Sequence, residues 1–390
     1  MRLYEWEAKR LLAERGVSVP DGALARSAGE ARVVAGRWDA TVLKAQVLRG
    51  GRMKAGLVQF AEDADGIAEA AASLLVAGAA QVLVEERVPL REERFIGALY
   101  DPRRRMPILI YTPRGGIDVE QDSEGSVVRV ELDPHGPVEE FRLRAALQRA
   151  GVPGSDLRAL SAIAAAVARA FLELDATLVE INPLAHVAGR GWMALDAHIE
   201  LDGDALVRHQ DLVERFDLAT RGHDGRVPTA VERAAAEIDA LDHRGVAGRL
   251  VEFDGDVALI IGGGGASLTV FDAIRDAGGQ PANYCEVGGN PSVAKVSAFT
   301  QLLLERLNPA RVAVVMNVVS NTRADLIARG VIEGCLAAGR APGETIAVFR
   351  VPGAWEAESR ELLAHYGVRA FGREIGVDAA ARMATEATAA

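Results

Sequence analysis

Apolar positions along the chain change rhythm once, and that change divides it. In residues 5–15 ("EWEAKRLLAER") they recur at helical spacing, and the run stops at Gly16, which predicts a short amphipathic helix. Residues 40–48 ("ATVLKAQVL") and 80–88 ("AQVLVEERV") are apolar runs of strand length, with an Ala-rich helical segment at 63–75 between them. "RFIGALYDPRRRMPILIY" reads as two antiparallel strands joined at "DPRR". Residues 138–174 form a helical block in which "DLRALSAIAAAVARAFLEL" is strongly periodic. A hairpin follows, with "TLVEINPLAHV" and "GWMALDAHIEL" on either side of the turn "AGRG". From about Thr229 the order becomes strand, helix, strand, helix. "VALII", "ANYCEV", "RVAVVMNVV" and "TIAVFRV" are the strands, each followed by a helix-length segment. That alternation predicts a parallel sheet. The expected fold class is α/β, with an α+β domain over residues 1–238 and a parallel α/β domain over residues 239–390.

Composition narrows the function classes. A chain of 390 residues with 49% hydrophobic content supports two or three cores. A net charge of −11 argues against a general nucleic-acid or anionic-membrane surface. No apolar run approaches the ~18 residues of a membrane span, and "MRLYEWEAKRLLAERG" has no signal-like apolar stretch. A cytoplasmic protein with no membrane and no nucleic-acid partner is expected. The two cysteines, Cys285 and Cys335, have no metal-type spacing. None of the seven histidines has a setting that suggests a nucleophile.

The chemistry concentrates at strand ends. Glu180, Asn182 and Asp196 place oxygen donors at the mouth of the hairpin. Carboxylate and amide oxygens, completed by phosphate oxygens and water, suit Mg²⁺. The same residues also read as an Asn–Pro turn beside a solvated carboxylate. Lys44 lies inside an apolar strand, where a lysine must snorkel, pair or meet an anion. The following "RGGRMKAG" offers backbone N–H groups with Arg52 and Lys54, either a cover for polyphosphate or a solvated basic hairpin. Glu85 and Glu93 could accept from an adenine amino group or a ribose hydroxyl, or be surface charges. In the second part, "LIIGGGGASLTVFDAIRDAGG" sets a glycine turn between strand and helix and aims helix N–H groups at an anion. Three readings stay open there: a dinucleotide fingerprint with Glu286 on a ribose, a site for a phosphoryl group or carboxylate, or a packing turn. Ser320, Asn321 and Thr322 are donors at the end of "VAVVMNVV", and Thr322 with Arg350 would suit a carboxylate.

Taken in order, "LYEWEAKRLLAERGVSVP", "VLKAQVLRGGRMKAG", "LVEE", "GGIDVE", "VEINPL", "ALDAHIELDGDAL", "GGGGAS", "PANYCEVGG" and "DLIARGVIEG" resemble the beta subunit of succinate–CoA ligase, a member of the ATP-grasp superfamily. The resemblance runs from Tyr4 to about Val377. It implies a two-lobed ATP-grasp domain followed by a flavodoxin-like ligase domain. Lys44, Gly51, Arg52 and Met53 would meet nucleotide phosphates, and Glu85, Val88 and Glu93 would lie about the nucleoside. Asn182 and Asp196 would bind Mg²⁺, and Glu180 would be catalytic, steadying a phosphohistidine of a partner alpha subunit. Gly262, Gly263 and Gly264 would face the phosphoryl group and, with Ser320, Asn321, Thr322 and Arg350, the acid. The implied activity is an ADP-forming carboxylate–CoA ligase, complete only with that alpha subunit, which carries most of the CoA site. ATP, Mg²⁺ and the co-substrate CoA are the implied small molecules, with a small carboxylic acid as substrate.

The chain departs from the family's usual pattern. Met53 replaces a glycine, Val88 a threonine and Gly262 an asparagine, and Val319 to Asn321 replace a Gly-Gly-Ile segment in a loop one residue shorter. The last two changes fall on the acid site. The second domain also resembles the citrate-binding region of ATP-citrate lyase and citryl-CoA synthetase, so citrate or malate is an alternative substrate. A non-catalytic nucleotide-binding paralogue is a third reading, and a nicotinamide-dependent oxidoreductase a distant fourth.

Overall fold

The structure is a computed structural model that describes residues 1–113, 127–221 and 228–386. The segment "GGIDVE" lies outside them. The chain forms two compact units, Met1–Val227 and Pro228–Ala390. The division expected at 238/239 falls inside α7 (Ala230–Asp239), a helix that packs on β11 (Val246–Glu252) of the second unit.

The first unit holds two antiparallel sheets, as its alternating strands require. One has the order β1-β4-β2-β3, from β1 (Gly22–Ala25), β2 (Thr41–Ala45), β3 (Val58–Ala61) and β4 (Val82–Glu86). Helices α2 (Ala28–Ala35) and α3 (Ala64–Val76) pack on each other and on this sheet. Ser27 and Asp63 cap them, accepting from Glu30 N and Gly66 N. The other sheet runs β10-β8-β5-β6-β7, with β9 on β8. Its strands are β5 (Leu90–Asp101), β6 (Met106–Thr112), β7 (Val128–Glu131), β8 (Ala176–Val187), β9 (Gly191–Ala194) and β10 (Ala197–Leu201). Helix α5 (Gly154–Glu173) buries an Ala-rich face against it, and α4 (Glu140–Arg149) packs on α5. Helix α1 (Glu5–Ala13) lies against β10, and α6 (Gln210–Phe216) closes the unit. The helix expected to be amphipathic differs in one respect: Glu5, Glu7 and Lys9 of α1 are buried with its leucines. Arg221 neutralises Glu7 through two contacts of 2.7 Å, and Glu5 and Lys9 enter the cluster described below.

In the second unit β12 (Val257–Gly262), β14 (Arg311–Met316), β15 (Ile346–Arg350) and β16 (Ala370–Phe371) form a parallel sheet in that order. Buried on both faces, β12 and β14 are continuous apolar runs. Helices α8 (Ala266–Asp276) and α13 (Val377–Glu386) pack together and on this sheet. Helix α10 (Ala324–Ala337) packs on α9 (Val293–Leu302), α11 (Pro342–Thr345) and α12 (Glu356–His365). One expected parallel strand behaves otherwise. β13 (Asn283–Gly288), from "ANYCEV", pairs antiparallel with β11. It meets β12 through side chains: Asn283 accepts from Leu259 N and donates to Leu259 O, both at 2.9 Å, and Cys285 Sγ accepts from Ile261 N. Those bonds satisfy the edge of β12 that a backbone ladder would otherwise cover. Burial pushes the Cys285 thiol up to about 12. Among the described residues no helix is long and apolar enough to cross a membrane.

Candidate functional site

Strand alternation builds a cleft in the first unit. On β2, Leu43 and Ala45 enter the apolar core, so Val42 and Lys44 face the other way and line the cleft. On β4, Val82 and Val84 enter the same core, which leaves Glu85 to the cleft. On β8, Val179 and Ile181 are core, so Leu178, Glu180 and Asn182 line it. The hairpin turn returns the chain so that Asn182 N donates to Asp196 O at 3.2 Å. The cleft measures about 1070 Å³. Lys44, Gly51, Arg52, Met53, Glu85, Val88, Glu93, Glu180, Asn182 and Asp196 all line it. The structure therefore brings together every sequence-predicted residue of the first unit. Gly51 turns the loop with φ of 69°, Met53 is exposed, and Val88 packs with Val187 and Met193 in a small apolar floor.

Inside the cleft the charges already compensate one another. Lys44 Nζ lies 2.8 Å from Glu5 Oε1 and 2.9 Å from Glu85 Oε2, and it donates to the carbonyl of Leu195. Lys9 Nζ lies 2.9 Å from Glu5 Oε1 and 2.6 Å from Glu85 Oε1. Arg52 spans Glu5 Oε2 at 2.7 Å and Asp196 Oδ1 at 2.5 Å. Three cations thus stand against three carboxylates. All but Asp196 are buried, and Asp196 is half-buried. Burial alone would raise the Glu5 carboxyl, but Lys44, Lys9 and Arg52 hold it well below the usual carboxylate range. Burial would lower Lys44, yet Glu5, Glu85 and Asp196 raise it. Desolvation and the charge of Glu5 push the Asp196 carboxyl up, against Arg52 and Lys44.

Two members of this cluster, Glu5 and Lys9, were not among the sequence candidates. The available signal was their i,i+4 spacing on a helix whose other face is leucine. Their presence revises Glu85. Both of its oxygens bond Lys9 Nζ, at 2.6 and 2.7 Å, and one also meets Lys44. The carboxylate expected to meet a base or ribose thus lines the cleft while paired with two lysines. Glu93 lines the cleft from β5, opposite Ala185. Glu180 sits opposite Gly97 on β5 and His198 on β10.

The second unit has a pocket of about 360 Å³ at the carboxyl ends of its strands, where open α/β sheets take ligands. Gly263, Gly264, Glu286, Ser320, Asn321 and Thr322 line it. Positive φ angles of 112° and 65° explain the glycines at 263 and 264. Their N–H groups are occupied: Gly263 N donates to Glu286 Oε1 at 3.2 Å and Gly264 N at 2.9 Å. Two expected residues fall outside the pocket's lining. A Cβ on Gly262 would stand 1.8 Å from Val287 O, so this glycine serves the close approach of β12 to β13. Arg350 is buried and donates to Met316 O at 2.6 Å and Ile375 O at 3.0 Å, tying the end of β15 to the end of β14 and to the loop before α13.

Comparison with known proteins follows this division. Residues 2–186 match the ATP-grasp domain family, and residues 226–326 match the ATP citrate lyase citrate-binding family. The succinate–CoA ligase [ADP-forming] subunit beta of Chloroflexus aurantiacus is 33% identical over 93% of each chain. That of Rubrobacter xylanophilus is 34% identical over 93% of this chain and 92% of its own. A GDP-forming counterpart from Thermus thermophilus is 33% identical, again over 93% of each. Among solved structures, ATP citrate lyase from Methanothrix soehngenii, in complex with citrate and coenzyme A, superposes with a TM-score of 0.76 at 21% identity. The match covers 99% of each chain, a likeness of fold. With relatives of this identity along nearly its whole length, the chain belongs to the family of succinate–CoA ligase beta subunits, ligases that join an acid to a thiol.

Proposed function

We propose that the chain is the nucleotide-binding beta subunit of an ADP-forming carboxylate–CoA ligase. One observation carries this: Lys44, Arg52, Asn182 and Asp196 converge on a single cleft beside Glu180. Lys44 and Arg52 would bind the polyphosphate of ATP, and Glu93 and the Val88 floor would flank the nucleoside. Asn182 and Asp196 fit Mg²⁺ by donor type, one amide and one carboxylate oxygen, with phosphate and water to complete the shell. Among the described residues no cluster of three or more His, Cys, Asp or Glu competes for a metal. Bound there, the ion would neutralise charge on the transferring phosphoryl group. Glu180 would steady the phosphohistidine of the alpha subunit, which would pass the phosphoryl to the acid before CoA displaces it.

The test is direct. The purified chain alone should bind Mg-ATP in calorimetry and form no thioester. Robust thioester formation by the isolated chain would contradict the reading, as would undetectable Mg-ATP binding, which favours a regulatory paralogue with a degenerate site. A second reading concerns the acid. The match of residues 226–326 to a citrate-binding family supports a citrate- or malate-type CoA ligase. An acid panel with the reconstituted pair separates the two.

A further inference from the structure

We infer that Glu286 is a specificity-determining residue that selects hydroxylated carboxylic acids over their unsubstituted counterparts in the second unit's pocket. The inference rests on reading that pocket as the acid site.

Glu286 Oε1 takes the N–H groups of Gly263 and Gly264, at 3.2 and 2.9 Å. Those amides close the positive end of an 11-residue helix, where an acid's own carboxylate would otherwise sit. Glu286 Oε2 accepts no hydrogen bond among the described residues. One side of the pocket is therefore an acceptor carrying negative charge. The other side is donors. The backbone N–H groups of Ser320, Asn321 and Thr322 donate to nothing among the described residues. Thr322 is only 2% exposed, and its Oγ accepts from Asn290 N at 3.2 Å, so its hydroxyl proton is still to be given.

A substrate carboxylate matches the donor side, where three successive residues with undonated N–H groups and the Thr322 hydroxyl line the pocket. Against Glu286 it meets a like charge. A hydroxyl on the substrate matches Glu286, giving its proton to Oε2 in a charge-assisted hydrogen bond. A site that holds a hydroxyl in this way rejects the analogue without one, because its polar group is left without its donor. Malate and succinate differ by that hydroxyl alone and form the matched probe.

The experiment compares kcat/KM for malate, citrate and succinate in the pair reconstituted with its alpha subunit, for wild type and Glu286→Gln. The wild type should favour malate over succinate by about ten- to hundredfold, the range of one hydrogen bond to a charged group. Glu286→Gln should cut the ratio several-fold, because its amide can keep the glycine N–H bonds but replaces the charged acceptor Oε2 with a neutral group. A merely structural role would depress both acids together and leave the ratio unmoved. Far-UV circular dichroism and urea unfolding, measured on the same samples, report that the variant is folded. Should the glutamine variant fail to fold, Glu286→Asp, shorter by one methylene, should narrow the preference. An unchanged ratio in these variants overturns the inference, and so does a wild-type preference for succinate. A wild-type pair that binds Mg-ATP but uses none of the acids sinks the acid-site reading itself, and the inference with it.

Discussion

In the first unit's cleft, three cationic side chains face three carboxylates; in the second unit's pocket, two backbone N–H groups face one carboxylate. Both are proposed here to take anions, and both hold carboxylates of the chain itself. The difference lies in what carries the positive charge. Lys9, Lys44 and Arg52 are buried side chains, so each must be compensated or the unit bears an unpaired internal charge. The amides of Gly263 and Gly264 carry only partial charge at an exposed turn, so Glu286 is not the counter-ion of a buried charge. The cleft is therefore coupled to the stability of its unit, whereas the pocket is open to tuning by single residues.

The sharpest way to break this contrast is Lys9→Met. It removes a cation that lies behind Lys44 and leaves Glu5 and Glu85 overcharged. Unfolding in urea should show a loss of about 3–5 kcal/mol, the usual cost of stripping one partner from a buried pair. A loss below about 1 kcal/mol would mean that the cluster is not electrostatically tight. Next in size is Gly262→Ala, a control without charge. Its Cβ would collide with Val287 O, and about 1–3 kcal/mol of destabilisation is expected from the forced shift of β12 against β13. Near-wild-type stability would show that the strands can part freely.

Asp196→Asn sharpens the comparison from the binding side. Arg52 gives its 2.5 Å contact to Asp196, so the variant releases Arg52 while weakening the proposed Mg²⁺ site. Calorimetry should find Mg-ATP bound about ten- to hundredfold more weakly. ATP in the presence of EDTA should bind several-fold more tightly than to wild type, a gain of about 1 kcal/mol. Weakening of both would refute an exchange of partners at Arg52. The pH dependence follows from the same residue. The Asp196 carboxyl is raised by desolvation and by Glu5, so its charged form is lost at a higher pH than an ordinary aspartate allows. The advantage of Mg-ATP over metal-free ATP should shrink as pH falls through that raised value. Glu5, held low, stays charged over the same range. Met53→Gly, on an exposed loop, is the smallest effect expected: under threefold in nucleotide affinity and less than about 0.5 kcal/mol in stability.

How much of this was legible follows from geometry. Lys44, Glu180 and Asn182 could be read because they interrupt apolar strands, where a two-residue period allows only two faces, and Asp196 because it follows one. Glu5 and Lys9 could not, because charges in the first turns of a helix ordinarily face water. Only the packing of α1 against β10 decided that they do not. Arg350 falls outside the pocket's lining for a related reason. Its strand end was read correctly, but two free carbonyls within reach took its guanidinium. Glu286 was noticed as a ribose acceptor in a fingerprint, and the fold turned it onto the glycine turn instead.

The chain's own pattern was enough for the two architectures, the strand that carries Lys44, the hairpin that pairs Asn182 with Asp196, and the glycine turn. Each depends on local periodicity and backbone sterics, which neighbouring residues settle among themselves. Tertiary structure alone decided how the charges pair: which carboxylate meets Lys44, that Glu85 serves lysines, and that Glu286 fills the amides. Coulomb and hydrogen-bond partners are chosen by distance in space, and Lys44 and Leu195, 151 positions apart, meet only once the sheets have packed.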